Sequence, residues 1–322
     1  MTAVMGMNLS NTFQSNPIPL RNGADQIANL PVSLVKLFSL ETDPNFWASV
    51  SQHGLKVALG ISNGDIQNIA TGGDTVNILV NQMKPHAQAI SWVCVGNEPL
   101  GSWYNNKFTP YLARAVGRMY DVLQSNKLNI GVTIPQNFEF MQTSYPPSAG
   151  SIKTEYLQII KDTCAVMKSS GAPFMVNIYP FITRVQNRND VPLDYCLFTA
   201  GENHWVRDGS YTYKNIFDAM IDALHVALDK IGYPDLEIVI GECGWPTAGD
   251  VDATPANAQT FLQNMINHCK SGQGTPRLPG RTIRCFAFEM YDENLKPTGP
   301  GPFEIHWGVC DGTGQPKFPL KW

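Results

Sequence analysis

Two apolar runs in this chain stop on a glutamate. Trp92-Val93-Cys94-Val95 gives way to Gly96-Asn97-Glu98, and Glu237-Ile238-Val239-Ile240 gives way to Gly241-Glu242, with Cys243-Gly244-Trp245-Pro246 directly after. A carboxylate is costly in an apolar setting unless it is paired or hydrogen-bonded. Two of them facing one cleft suit hydrolysis of a glycosidic bond. One protonates the leaving oxygen, and the other attacks the anomeric carbon or directs water at it. Asn97, immediately before Glu98, is a natural donor to a sugar hydroxyl. Other apolar runs also end in polar residues: Asn8, Lys36, Asn177 with Tyr179, and the group Glu289, Asp292 and Glu293. A nucleophilic Cys243 is the poorer reading, because no histidine partner is evident for it.

These residues need a scaffold that brings distant strand ends together. Eight short segments rich in Val, Ile, Phe and Met recur, at 3–8, 33–38, 55–61, 91–97, 129–134, 174–180, 237–242 and 284–292. They are continuous apolar runs more than strict alternations, as parallel strands covered on both faces are. Helical periodicity lies between them, over 75–87, 109–126, 152–169, 214–231 and 255–271. Thr109-Pro110 looks like a cap followed by proline at the first helical position. Strand and helix alternating eight times predict a single (β/α)8 barrel over residues 1–322, whose active site lies at the C-terminal ends of the strands. The polar stretch 182–213, between the sixth and seventh strands, is expected to be a loop-like elaboration over the mouth. A doubly wound open sheet is the structural alternative, but no glycine-rich dinucleotide loop follows the first strand.

The totals exclude several classes of function. The 322 residues carry a net charge of -4 at pH 7 and a pI near 5.9, which argues against a nucleic-acid partner. No apolar run approaches the roughly 18 residues of a membrane span. MTAVMGMNLS has no basic region before an apolar core, so no signal peptide is expected in it. A trimmed mature chain and a cytosolic protein would both look like this. The seven cysteines form no C-x-x-C pair, an odd count leaves at least one unpaired, and buried inert thiols are expected. None of the six histidines has metal-ligand spacing, so neither metal nor cofactor is implied.

VGNE, GECGWP and FEMYDENLKPTGPGPFEIHWGV resemble signatures of the plant-type family 17 glycoside hydrolases, the endo-1,3-β-glucanases. SYPPSAG (144–150), VNIYPF (176–181) and the long string over 210–242 are similar too, so the resemblance runs from about residue 4 to 320. It implies a (β/α)8 barrel with retaining chemistry, with Glu98 as acid/base and Glu242 as nucleophile. Glu293 and Lys296 in DENLK match supporting groups, and Glu289 ends the same strand. It also implies a β-glucan polysaccharide or oligosaccharide as substrate, a monomer, and a secreted, cell-wall or vacuolar location. Three sites depart from the family pattern. Asn8-Leu9-Ser10 stands for N-Y-G, Lys36-Leu37-Phe38-Ser39 for R-L-Y-D, and Gly241 and Cys243 flank the nucleophile instead of hydroxyl residues.

Asn8, Asn97, Asn177, Tyr179, Phe181, Trp103 and Tyr104 are the expected substrate contacts. The aromatic ones, with Trp205, Tyr291 and Trp307, could serve as platforms for pyranose rings, Tyr179 and Phe181 foremost because of where their strand ends. His306 is expected to make a structural hydrogen bond. A 1,3-1,4-β-glucanase, a glucan transglycosylase and a glucan-binding barrel with weak catalysis are the alternatives.

Overall fold

The computed structural model describes residues 4–322. The eight apolar segments form eight parallel strands: β1 (Met5–Asn8), β2 (Leu34–Lys36), β3 (Lys56–Ile61), β4 (Ile90–Val95), β5 (Gly131–Thr133, continuing as Pro135–Gln136), β6 (Phe174–Asn177), β7 (Ile238–Cys243) and β8 (Arg284–Ala287). Ala3, expected at the start of the first strand, lies outside the described residues. Each strand pairs with the next, and β8 pairs back to β1 through Met5 and Cys285. Closure depends on β5. Gly131 to Thr133 pair with β4, while Pro135 and Gln136 pair with β6. Proline has no N–H to give a ladder, so the pairing changes partner at the Ile134-Pro135 step.

Met7, Val35, Val57, Leu59, Val93, Val132, Met175, Val239 and Phe286 are all fully buried. Strands covered by helices outside and packed side chains inside have no face for polar residues, hence the continuous apolar runs. The outer helices begin on sequence signals. Asp43 accepts the N–H of Asn45 ahead of Pro44–Gln52, Asn215 that of Asp218 ahead of Ile216–Lys230, and Thr254 that of Asn257 ahead of Pro255–Ser271.

Two helix starts differ from expectation. The Thr109-Pro110 pair does not open a helix. The Tyr111 N–H bonds the Phe108 carbonyl in a turn, and the helix runs over Leu112–Ser125. The expected helix from 152 begins at Leu157, because Ser151 and Ile152 pair with Met141–Thr143 in an antiparallel ribbon. The stretch 182–213 is also more ordered than a loop. It holds the end of helix Pro180–Gln186, helix Leu193–Cys196, and a hairpin of Val206–Asp208 with Tyr211–Tyr213.

Beyond β7 the chain passes close to β8. A Cβ on Gly244 would lie 2.1 Å from the Phe288 carbonyl oxygen, a backbone atom that cannot swing away. Gly244→Ala is therefore expected to force β7 and β8 apart beside Glu242. A loss of roughly 1–3 kcal/mol should appear in denaturant unfolding, together with reduced activity. Unchanged stability would mean that the two strand ends separate freely.

Candidate active site

At the end of β4 the backbone turns sharply. Gly96 has φ 82° and Glu98 has φ 50°, both left-handed. A non-glycine residue in that region costs of order 1 kcal/mol or more, and local contacts hold it there. Asn63 clamps Asn97 from both sides, accepting its N–H at 2.8 Å and donating to its carbonyl at 2.8 Å. The Glu98 N–H donates to the Pro135 carbonyl at 2.8 Å, tying the turn to β5. The result aims the half-buried Glu98 side chain across the mouth, where Asn177 at the end of β6 donates to its Oε1 at 2.8 Å.

Glu242, near the end of β7, is 4% exposed. Its Oε1 lies 2.8 Å from the Lys36 ammonium, and its Oε2 accepts the Tyr179 hydroxyl at 2.6 Å. Lys36 also donates to the Asn97 Oδ1 at 3.2 Å. One buried cation thus joins the ends of β2, β4 and β7. The two glutamates have unequal surroundings. Glu242 has a counter-ion and a phenol, whereas Glu98 has one neutral amide. Burial and the charge of Glu242 push the Glu98 carboxyl from the ordinary 4.5 up to about 8, against the opposing pull of Asn177, Lys36 and Lys296.

The third carboxylate group lies on the β8 side. Lys296 is 3.9 Å from Glu289 and 3.6 Å from Glu304. Burial alone would lower the Lys296 pKa, but Glu289, Glu304, Glu293 and Glu242 hold it above its ordinary value. Burial raises the fully enclosed Glu289 well above the carboxylate range, with Lys296 opposing and Glu293 adding to the rise. Glu293 accepts the Ser10 hydroxyl at 2.7 Å and the Phe13 N–H at 3.2 Å, which fixes the loop after β1.

The expected site residues separate into groups. Glu98, Glu242, Asn97, Asn177, Tyr179, Glu289, Glu293 and Lys296 come together at one mouth. Tyr179 acts there through its hydroxyl instead of its face, because Trp307 and Phe288 pack edge-on against the ring at 5.1 and 5.8 Å. Phe181 is no sugar platform: it is fully buried against Trp245, Phe303 and Trp307. Tyr291 and Trp307 are likewise core residues. Asn8 is fully enclosed, donating to the Gly241 and Ala287 carbonyls at 3.1 and 3.2 Å, so it laces β1 to β7 and β8 and does not contact sugar. Trp103, 54% exposed, and the partly exposed Tyr104 follow Glu98 on the same loop with open ring surface. The His306 carbonyl, not its ring, makes the bonds there, accepting from Thr247 and Lys317.

Sequence reasoning put Lys36 in the polar ring without a role, and it passed over Glu304 and Gln136. Gln136 is buried just past the β5 break with neither amide atom partnered by protein. With the Oδ1 atoms of Asn8 and Asn177 it leaves polar capacity unfilled around the mouth. All seven cysteines are buried and none is in a disulfide. Burial pushes the Cys94 thiol up to about 12, which suits inert side chains. Among the described residues no acidic, His or Cys group could hold a metal ion, and no helix is long and apolar enough to cross a membrane.

A model of glycosyl hydrolases family 17 matches residues 24–322. The basic isoform of glucan endo-1,3-β-glucosidase from Phaseolus vulgaris is 34% identical over 291 residues, covering 86% of this chain and 80% of its own length. A basic vacuolar isoform from Nicotiana plumbaginifolia is 36% identical, covering 87% and 76%. Among solved structures, a β-1,3-glucanase and allergen of Cryptomeria japonica pollen superposes with a TM-score of 0.91 at 31% identity, covering 98% of both chains.

The raised Glu98 carboxyl has a consequence for stability. Its folded value, about 8, lies above its ordinary 4.5. The folded state therefore holds that proton more tightly, and the stability this gives is full below about 4.5 and lost as pH climbs to about 8. Glu98→Gln removes the titration. The melting temperature of this variant minus that of the unaltered protein should grow across this window and then level off. A difference that is flat with pH would mean that Glu98 ionises like an exposed carboxylate.

Proposed function

The chain belongs to family 17 of the glycosyl hydrolases, and from that premise we propose that it is a retaining endo-acting β-1,3-glucanase in which Glu242 is the nucleophile and Glu98 the acid/base. The observation that carries the assignment is the unequal treatment of the two carboxylates. Glu242 sits between an ammonium at 2.8 Å and a phenol at 2.6 Å, with a donor on each carboxylate oxygen. Glu98 is pushed up to about 8 and carries its proton at neutral pH. Environments that drive a carboxyl pair apart in this way separate a base or nucleophile from an acid.

The reaction then has two halves. A Glu242 oxygen bonds to the anomeric carbon while the bond from that carbon to the leaving sugar oxygen breaks, and that oxygen takes the proton of Glu98. Glu242 is now an uncharged ester, so one cause of the raised Glu98 value is gone. Glu98, ionised, takes a proton from water as the water oxygen bonds to the anomeric carbon. The Glu242 bond breaks, and its electron pair returns to the carboxylate. The asparagine amide of Asn97 and the open faces of Trp103 and Tyr104 are the groups we assign to the sugar. The names of the relatives support 1,3-β-glucan as substrate, and one of them supports a vacuolar location.

The first test is product release. Laminarin should yield a mixture of oligosaccharides with new reducing ends, and mixed-linkage glucan far less. Preferential cleavage of mixed-linkage glucan would move the assignment to a 1,3-1,4-β-glucanase, and tight laminarin binding without release would make the chain a binding barrel. The pH profile of kcat/KM should be bell-shaped, present below about 8 and falling as Glu98 loses its proton above it. A rate that rises steadily above neutrality contradicts the assignment.

Variants at the two glutamates separate their roles. Glu242→Ala should lose nearly all hydrolysis, and azide should restore turnover with inverted product. Glu98→Ala should still attack an activated aryl glycoside, which needs little protonation, and azide should then give retained product. The reverse pattern would mean that the two roles are exchanged.

A further inference from the structure

Among the described residues Lys36 is the one cation in direct contact with Glu242. It stands where the resembling family carries arginine, and it is 1% exposed. Its ammonium is 2.8 Å from the Glu242 Oε1, 3.2 Å from the Asn97 Oδ1 and 3.9 Å from the centre of the Phe38 ring. An ammonium is a compact point charge on a flexible stem, unlike the rigid planar fork of arginine, and this one is packed so that the stem cannot wander. We propose that Lys36 is a positioning residue for the reaction: it holds the negative charge of the carboxylate pair on Glu242, fixes Asn97 beside Glu98, and favours the return of the electron pair to Glu242 when the glycosyl–enzyme bond breaks. This rests on the two-glutamate reading above.

The charged and titratable groups around it leave no substitute. Lys296 touches Glu289 and Glu304 on the β8 side instead of Glu242. The Tyr179 phenol, raised well above its ordinary value by burial and then by Glu242 and Glu98, stays neutral and acts only as a hydrogen-bond donor. Cys94, from β4, lies in the field of both Lys36 and Glu242, and burial holds it as a thiol. Glu293 is engaged by Ser10 and Phe13. Removing the Lys36 charge therefore leaves Glu98 and Glu242 facing each other without a counter-ion between them.

Lys36→Met keeps the length of the stem and deletes the charge. With laminarin as substrate, whose leaving oxygen needs the Glu98 proton, kcat/KM should fall roughly 100-fold, the scale of a misplaced catalytic group. The alkaline limb of the pH profile should move upward by about one unit or more, because the cation 2.8 Å from Glu242 also favours the ionised form of Glu98. Lys36→Arg, which keeps the charge, should leave that limb where it is in the unaltered enzyme even if the maximum rate drops. A loss of rate in Lys36→Met with that limb unmoved would reduce Lys36 to packing and overturn the proposal, as would a limb that moves equally in Lys36→Arg.

A second measurement needs no activity. Melting temperatures of Lys36→Met, Glu242→Gln and the double variant form a cycle. The double variant should be more stable than the two single losses predict, since each single change strands a buried partner. Simple addition of the losses would overturn the coupling. If the unaltered protein failed on every glycoside while the cycle showed strong coupling, the glucanase reading would fall and the pairing would stand.

Discussion

The ion pair of Lys36 and Glu242 is the constraint around which the mouth of this barrel is arranged. Bringing two charges out of water is expensive, and attraction offsets the cost only when the geometry is tight and the remaining bonding capacity is used. Here the distance is 2.8 Å, Tyr179 takes the other carboxylate oxygen, and Asn97 takes a second ammonium proton. Each of these partners comes from a different strand end. The pair can exist only if β2, β4, β6 and β7 are held in one register, which is what closing the sheet through the two halves of β5 achieves. The scaffold and the charge distribution are therefore one problem with one solution.

The consequences reach Glu98. Once the anion is anchored on Glu242, a second carboxyl nearby meets both a repelling charge and little solvent, and it keeps its proton to about 8. The left-handed turn at Gly96 and Glu98 delivers the side chain to that position, and Asn63 and Pro135 hold the turn. On the far side Lys296 contacts Glu289 and Glu304, so that carboxyl cluster has a cation of its own. Strand ends tuned by different neighbours let one residue type serve two roles.

Much of this was legible in the sequence, for physical reasons that can be named. Parallel strands buried on both faces leave continuous apolar runs, so all eight were visible, and a glutamate ending such a run stands out because nothing apolar explains it. The polar partners at the mouth were visible on the same ground. What a side chain does there was harder to see. Tyr179 and Phe181 are two residues apart, yet one presents a hydroxyl to Glu242 and the other vanishes into a cluster with Trp245. Asn8 reads like a sugar donor until β7 and β8 are seen to take both its protons. Ile152 fits the start of a helix by period, but with Ser151 it pairs with Met141–Thr143, a contact that local pattern cannot show. Strand ends follow from local composition, whereas orientation and long-range partners follow from packing that only the closed barrel specifies.

The central claim is that Glu242 is the atom donor that holds the sugar between the two halves of the reaction. An activated 2-deoxy-2-fluoro laminari-oligosaccharide slows the second half more than the first, so the intermediate accumulates. Mass spectrometry of the digested, inactivated protein should then find the sugar on the peptide containing Glu242, at that residue. A label on Glu98, or on Glu289 or Glu293 across the mouth, would contradict the account.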